Sequence, residues 1–236
     1  MEREKLLNWL TGFKRVFLRS CLVAGILGVG CFLFSKRLAL LLIERAHIKV
    51  YYFSLPEVFL ATVELALYAG LFLSVPAIMG LAWKEFGGLL SEKMRNGYLF
   101  VLAAIFLFYV GSVFCFFVVL PSGISFLVGY EGGALKAMIS IQRFIIFCIA
   151  MIFAFGTAFE LPLGLLLLGK LGVVRARGLS RSRRYAVLFI VVAASVITPT
   201  PDVYNMSLLA VPLYILYEVG IILVRISERR ATAPVS

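Results

Sequence analysis

Charged residues are scarce in this chain, and that scarcity sets its class. Only 15% of the 236 residues are charged and 62% are hydrophobic, with a mean hydropathy of +1.03. Soluble domains carry about 25% charged residues. A soluble domain of this length cannot bury so much apolar surface. The composition therefore predicts a polytopic membrane protein, all-α and forming one membrane domain over residues 1–236.

Histidine and cysteine, the usual metal ligands, are also rare. The single histidine, His47, has no acidic or cysteine partner at ligand spacing, and the four cysteines lie in apolar runs at no metal-binding spacing. We expect these cysteines to be small core residues rather than a disulfide framework. Because no Ser–His, Asp–Asp or metal constellation appears, the sequence predicts no enzyme activity, no metal and no cofactor.

Six apolar stretches predict six transmembrane helices. They lie near residues 16–34, 58–83, 97–119, 144–168, 185–198 and 206–224. The fifth stretch, as a helix, spans about 21 Å, less than the roughly 30 Å of a hydrocarbon core. We predict short fifth and sixth helices, an interfacial helix over residues 1–15, and an outer cap formed by residues 35–57.

Lysine and arginine are distributed unevenly around the six stretches. If the N-terminus is cytoplasmic, 17 of the 23 basic residues fall on the inner side. By the positive-inside rule, this bias predicts that both termini lie in the cytoplasm. The net charge of +11 largely reflects the same asymmetry, so the lipid bilayer is an expected partner and nucleic acid is not.

Three glutamates enter the apolar stretches, where a charged side chain costs on the order of 2.5–3.5 kcal/mol. Glu218 lies one to two turns from Arg225, which predicts an ion pair at the inner interface. Glu64 either reaches the outer interface or a water-filled recess, or has a functional role. Glu160 is the deepest, about 12 Å from the inner end of its helix. It is either a neutral acid that fixes helix packing or part of a polar groove that accepts a guest.

The residues around Glu160 belong to a longer pattern. The run Phe155-Gly156-x-x-Phe159-Glu160-x-Pro162 is similar to the fourth-helix signature of the TatC family, the multi-spanning receptor subunit of the twin-arginine protein translocase. The resemblance extends over nearly the whole chain. It includes Leu171-Gly172-Val173-Val174, Arg183-Arg184-Tyr185, Pro201-Asp202-Val203, Leu208-Leu209-Ala210-Val211-Pro212 and Leu216-Tyr217-Glu218.

This resemblance implies a cupped, glove-like fold in the inner membrane. It also implies binding of the Arg-Arg signal peptides of folded cargo and recruitment of single-span TatA- and TatB-like partners into an oligomeric complex. Transport would be driven by the proton-motive force. The resemblance implies an intramembrane polar site at Glu160, Pro162, Phe155 and Phe159. It implies contact with a partner helix at Asp202, Asn205, Met206, Ser207 and Pro212.

The chain departs from the family pattern where the signal peptide binds. Family members usually offer two cytoplasmic glutamates, but Gly12 fills the first slot and Lys93 the second, with Glu92 one residue early. We assign signal-peptide binding to Glu92, Lys93, Gly12 and Trp9. Because carboxylates hold guanidinium groups best, we expect recognition that is weaker or differently built. Met206 likewise stands where the family often has a glutamine.

Two other function classes remain open at this stage. A scaffold with the TatC fold that has lost twin-arginine recognition fits the residues at Gly12 and Lys93. A proton-coupled small-molecule transporter would use Glu160 and Glu64 as a relay, although the chain shows no internal repeat. Crosslinking of a signal peptide distinguishes the receptor hypothesis from the scaffold hypothesis. A flux assay distinguishes both from the transporter hypothesis.

Overall fold

The computed structural model describes residues 2–46, 50–87, 97–129, 139–197 and 203–232. Within these ranges helices dominate, joined by one short strand pair. The elements are α1 (Glu2–Phe32), α2 (Ser35–Ala46), β1 (Val50–Tyr51), α3 (Leu55–Phe86), α4 (Gly97–Phe114), α5 (Leu120–Gly129), β2 (Ile139–Ser140), α6 (Ile141–Phe159), α7 (Leu161–Leu171), α8 (Ala176–Arg181), α9 (Arg183–Ile197) and α10 (Val203–Thr232). A π-helical turn over Cys115–Val119 joins α4 to α5.

Five of the described helical segments are long and apolar enough to cross a membrane. They are Thr11–Phe32, Pro56–Glu85, Gly97–Ile124, Ile141–Leu171 and Leu209–Arg229. The remaining predicted stretch, the fifth, corresponds to α9, which has only 15 residues and spans about 22 Å. The chain is a multi-pass membrane protein, and the prediction of a short fifth helix is confirmed.

Two predicted boundaries are corrected by the structure. The sixth helix is not short, because α10 runs for 30 residues and continues through the helix-forming residues after Val224. Residue 15 is not a helix boundary either, since α1 is one helix of 31 residues. No proline interrupts it, and a single interior glycine such as Gly12 costs a helix only about 1 kcal/mol. The predicted interfacial helix is thus continuous with the first span.

The chain divides into two compact units. The first comprises Met1–Ile105 and Glu131–Phe153, and the second comprises Phe106–Tyr130 and Ala154–Ser236. In the first unit, α1 and α3 pack antiparallel. Gly70 sets their closest approach, since an added Cβ would lie well under 3 Å from the main chain of Gly28. Only glycine fits at such a helix crossing.

A strand pair that the sequence did not predict anchors the N-terminal end of α3. Strand β1 pairs in parallel with β2. The carboxylate of Glu57 accepts hydrogen bonds from the N–H groups of Phe53 at 2.6 Å and Ser54 at 3.3 Å, as in a capping box. It also accepts one from the hydroxyl of Ser140 in β2. Hydrogen bonds of Glu57 therefore connect the end of the predicted outer cap to α3 and to β2, both in the first unit.

In the second unit, α7, α8 and α9 pack against α10. The Tyr217 hydroxyl donates to the carbonyl of Leu179 at 2.8 Å. The Glu228 carboxylate accepts the N–H of Ala176 at 2.9 Å, which satisfies a donor at the start of α8. These bonds hold the segment that precedes α9 against the last helix, and so fix the position at which α9 begins.

Candidate functional site

A break in the fourth apolar stretch places Glu160 at a helix junction. Helix α6 ends at Phe159 and α7 begins at Leu161, so Glu160 is the N-cap residue of α7, although its side chain makes no capping hydrogen bond. Pro162 lies in the first turn of α7, where a missing N–H is tolerated. The carboxylate therefore lies at a helix N-terminus, whose dipole favours negative charge.

Aromatic rings form the surroundings of this junction. The ring of Phe114 lies 6.1 Å from that of Phe155 and 5.8 Å from that of Phe159. Helices α4 and α6 approach closely here, because a Cβ on Gly156 would lie 2.7 Å from the ring of Phe108. The structure thus brings together the residues predicted for the intramembrane site. It adds Phe114, which no sequence motif indicated.

One oxygen of the Glu160 carboxylate has no hydrogen bond to any residue that the structure describes. Oε1 is buried and has no hydrogen-bond partner among the described residues. A buried acceptor left unpaired costs about 1–3 kcal/mol. A carboxylic acid that fixed helix packing would use both oxygens in hydrogen bonds. The arrangement instead favours the second role considered for Glu160, a polar site that accepts a hydrogen-bond donor or a cation.

Glu64 is a second buried carboxylate, in the first unit. Its Oε1 accepts a hydrogen bond from Nε2 of Gln142 at 2.9 Å. Its Oε2 is buried and has no partner within the described part of the chain. The sequence had singled out Glu64 but not Gln142, because a neutral amide near a helix end carries no distinctive signal. This pair provides a polar contact between α3 and α6 inside the unit.

Glu218 has a different ion-pair partner from the one predicted. Its two oxygens accept bonds from Nε and Nη2 of Arg183, both at 2.8 Å, and the Tyr214 hydroxyl donates to it at 3.0 Å. Arg225, the predicted partner, instead lies 3.5 Å from the Ser180 hydroxyl. Two helical turns along α10 separate Arg225 from Glu218 by about 10 Å. Arg183 begins the neighbouring helix α9 and therefore reaches Glu218 directly.

The structure describes part of the predicted signal-peptide site. Glu92 and Lys93 lie outside the described residues, and Trp9 is described only as a backbone position on α1. Gly12 lies on α1 beside the end of α3, where an added Cβ would be 3.9 Å from Oε2 of Glu85. Oε1 of Glu85 lies 3.6 Å from Arg15 and 3.9 Å from Arg19. The sequence motifs assigned no role to Glu85.

A groove of about 530 Å³ runs between α9 and α10. Met206 and Ser207, two of the predicted partner-contact residues, line it together with apolar side chains such as Val191 and Val203. Pro212 lies half-buried inside α10. Asp202 and the side chain of Asn205 lie outside what the structure describes.

Comparison of the sequence with known proteins shows the family to which the chain belongs. The family model for TatC, the Sec-independent protein translocase protein, matches residues 8–212. The chain belongs to the TatC family. It is 40% identical over 184 residues to TatC of Deinococcus radiodurans, covering 75% of this chain and 68% of the relative. It is 33% identical over 220 residues to chloroplastic TATC of Pisum sativum, covering 92% of this chain and 62% of the relative.

The TatC family fold extends over nearly the whole chain. A crystal structure of the twin-arginine translocase receptor TatC superimposes with a TM-score of 0.79 at 28% sequence identity, covering 93% of this chain and 99% of that one. A second crystal structure of the same receptor, in detergent, gives a TM-score of 0.79 and covers 91% of this chain and 98% of that one. The predicted all-α TatC-type fold is confirmed, and the chain is a Sec-independent protein translocase subunit.

Proposed function

We propose that this chain is the receptor subunit of a twin-arginine translocase. It acts as one membrane domain that binds the signal peptides of folded cargo and recruits single-span TatA- and TatB-like subunits. The observation that carries this proposal is the family match over residues 8–212 together with the receptor fold over 93% of the chain. The work of such a protein is binding and assembly rather than catalysis.

The distribution of charge supports an inner-membrane protein with cytoplasmic termini. The antiparallel packing of α1 and α3 brings Arg15 and Arg19 to the same end as Glu85 and its neighbour Lys84. In the second unit, Arg183 at the start of α9 pairs with Glu218 towards the C-terminal half of α10. Basic residues that cluster at such helix ends face the cytoplasm by the positive-inside rule.

The signal peptide binds on this cytoplasmic side. Glu92, Lys93, Gly12 and Trp9 belong to the proposed binding surface, and Glu92 supplies a carboxylate for a guanidinium group. Gly12, in the N-terminal part of α1, supplies no carboxylate, because the residue has no side chain. The arginine pair of the signal is therefore held by carboxylates outside the two slots that the family usually fills.

A partner helix packs in the groove between α9 and α10. The groove is open and lined mainly by apolar side chains, with Met206 and Ser207 among them; Asp202, Asn205 and Pro212 belong to the same contact. A single-span helix buries apolar area on such a surface through close packing. Glu160, held among Phe155, Phe159 and Pro162, provides the polar contact inside the membrane.

The test is the affinity of the full chain, in lipid nanodiscs, for a labelled signal peptide with Arg-Arg or Lys-Lys at the recognition positions. A receptor binds the Arg-Arg peptide about tenfold more tightly or better, because one charge-assisted bond that only arginine makes is worth about 1.4 kcal/mol. Equal affinities would show that the chain is a scaffold that has lost recognition. Crosslinking from Glu92 then locates the bound peptide.

A further inference from the structure

Three described carboxylates, Glu85, Glu218 and Glu228, lie in the parts of the two units that are rich in arginine. Of these three, Glu85 has the longest contacts. Glu218 is engaged by two bonds of 2.8 Å from Arg183 and one of 3.0 Å from Tyr214. Glu228 accepts a main-chain N–H at 2.9 Å. Glu85, in contrast, is approached by arginines at 3.6 and 3.9 Å, longer than a hydrogen bond. The Glu85 carboxylate can therefore exchange these two arginines for another cationic group.

Oε2 of Glu85 also lies beside Gly12. A Cβ at that position would lie 3.9 Å from Oε2, an ordinary van der Waals distance. Because Gly12 has no side chain, this position of α1 supplies no carboxylate of its own, and Glu85 is the described carboxylate next to it. A guanidinium group is planar and binds a carboxylate through two parallel bonds when both oxygens can be reached.

The two arginines that approach Glu85 are close neighbours on one helix. Arg15 and Arg19 lie one turn apart on α1, and both side chains are 59% exposed. Both approach the same oxygen, Oε1, without a hydrogen bond. Exposed pairs of this kind hold a carboxylate weakly. The protein thus presents to Glu85 the same chemistry as the two arginines of a signal peptide.

We propose that Glu85 binds an arginine of the signal peptide in this chain, and that Arg15 and Arg19 are internal placeholders that the signal displaces. The inference rests on the proposed receptor function. Glu85 takes over the task of the carboxylate that Gly12 lacks, from the neighbouring helix rather than from α1. Without displacement of the placeholders, three or more cationic groups would crowd one carboxylate.

The test compares three variants of the full chain in nanodiscs, using the labelled Arg-Arg and Lys-Lys peptides as probes. Glu85→Gln weakens binding of the Arg-Arg peptide about tenfold, because one charge-assisted pair is lost, and changes binding of the Lys-Lys peptide less. The double variant Arg15→Gln/Arg19→Gln strengthens binding of the Arg-Arg peptide. The matched control Glu44→Gln, at an exposed carboxylate on α2, leaves both affinities unchanged.

The directions of these changes decide between roles. If Glu85 and the two arginines only stabilise the packing of α1 on α3, Glu85→Gln and Arg15→Gln/Arg19→Gln weaken binding together, and the proposal is overturned. If Glu85→Gln retains the preference for Arg-Arg, the proposal is also overturned and Glu92 carries the contact. If the unaltered chain shows no preference at all, it is the receptor function that fails.

Rescue provides a second readout. A carboxylate introduced by Gly12→Glu lies beside Glu85 and can accept the same guanidinium group. In the Glu85→Gln background, Gly12→Glu restores the Arg-Arg preference, whereas Gly12→Gln does not. Loss of rescue in a protein that still folds, as judged by its helical circular dichroism, would contradict the placement of the arginine between these two positions.

Discussion

Two carboxylates in this molecule face arginines, and they are held very differently. At the α9–α10 contact, Nε and Nη2 of Arg183 each donate to one oxygen of Glu218 at 2.8 Å. At the α1–α3 contact, Arg15 and Arg19 approach Glu85 only to 3.6 and 3.9 Å. The first arrangement uses its charges to join two helices. The second leaves a carboxylate that a ligand can bind. The two contacts thus distinguish an ion pair that joins helices from one that a ligand can displace.

The largest effect on stability is expected from breaking the tight pair. Glu218→Ala removes both bonds to Arg183 and the bond from Tyr214. We expect the free energy of unfolding to fall by about 1–2 kcal/mol, since the pair is partly exposed. The measurement is unfolding of the purified chain by SDS titration in mixed micelles. Glu218→Gln is the control and should lose less, because its amide oxygen still accepts a bond; equal losses would show that charge alone matters.

A smaller effect of opposite sign is expected at Glu160. Because Oε1 is buried without a partner among the described residues, Glu160→Ala removes an unfavourable group and leaves the protein folded and inserted. We expect stability to be unchanged or raised by up to about 1 kcal/mol. Crosslinking to a partner helix or signal peptide should fall in the same variant. Collapse of expression with crosslinking retained in the surviving protein would instead indicate a packing role.

The smallest effect on stability is expected at Glu85. Its ion pairs are long and the arginine side chains are exposed, so Glu85→Gln should change the free energy of unfolding by less than about 0.5 kcal/mol. The same micelle titration measures it beside Glu218→Ala. A loss as large as that of Glu218→Ala would remove the distinction between the two carboxylates and make Glu85 a structural residue.

The six spans and the short fifth helix could be predicted because hydropathy and charge act locally along the chain. Arg184 and Pro199 bracket the fifth stretch in the sequence, so its length follows from the residues alone. The end of the last helix could not be predicted in this way. Its polar residues after Val224 form a helix as readily as a tail, and only the structure shows that they continue α10.

Contacts between distant segments account for what the sequence could not predict. The pairing of β1 with β2 joins residues about ninety positions apart, and two-residue strands carry no periodic pattern. Arg225 was the natural partner for Glu218 along one helix, but Arg183 on the neighbouring helix is nearer in space. Side-chain partners across a helix contact depend on register, which composition does not encode.

The candidate site illustrates both cases. Glu160 could be found from the sequence alone, since a lone carboxylate in an apolar helix carries a visible cost. Phe114, and the absence of a partner for Oε1 among the described residues, could be seen only in the structure. Glu85 belongs to no sequence motif that pointed to a function. Its relation to Gly12 depends on the antiparallel packing of α1 and α3, which the close approach of Gly70 to Gly28 sets.

The most direct test of the account is site-specific photocrosslinking beside Gly12. Phe13 is 60% exposed, so a photoreactive phenylalanine fits there in the full chain without altering Gly12. We predict strong crosslinking to the Arg-Arg signal peptide, weak crosslinking to the Lys-Lys peptide, and none from the same probe at Phe34. Equal crosslinking of both peptides at Phe13, or none of either, would contradict the claim that this end of α1 and α3 reads twin arginines.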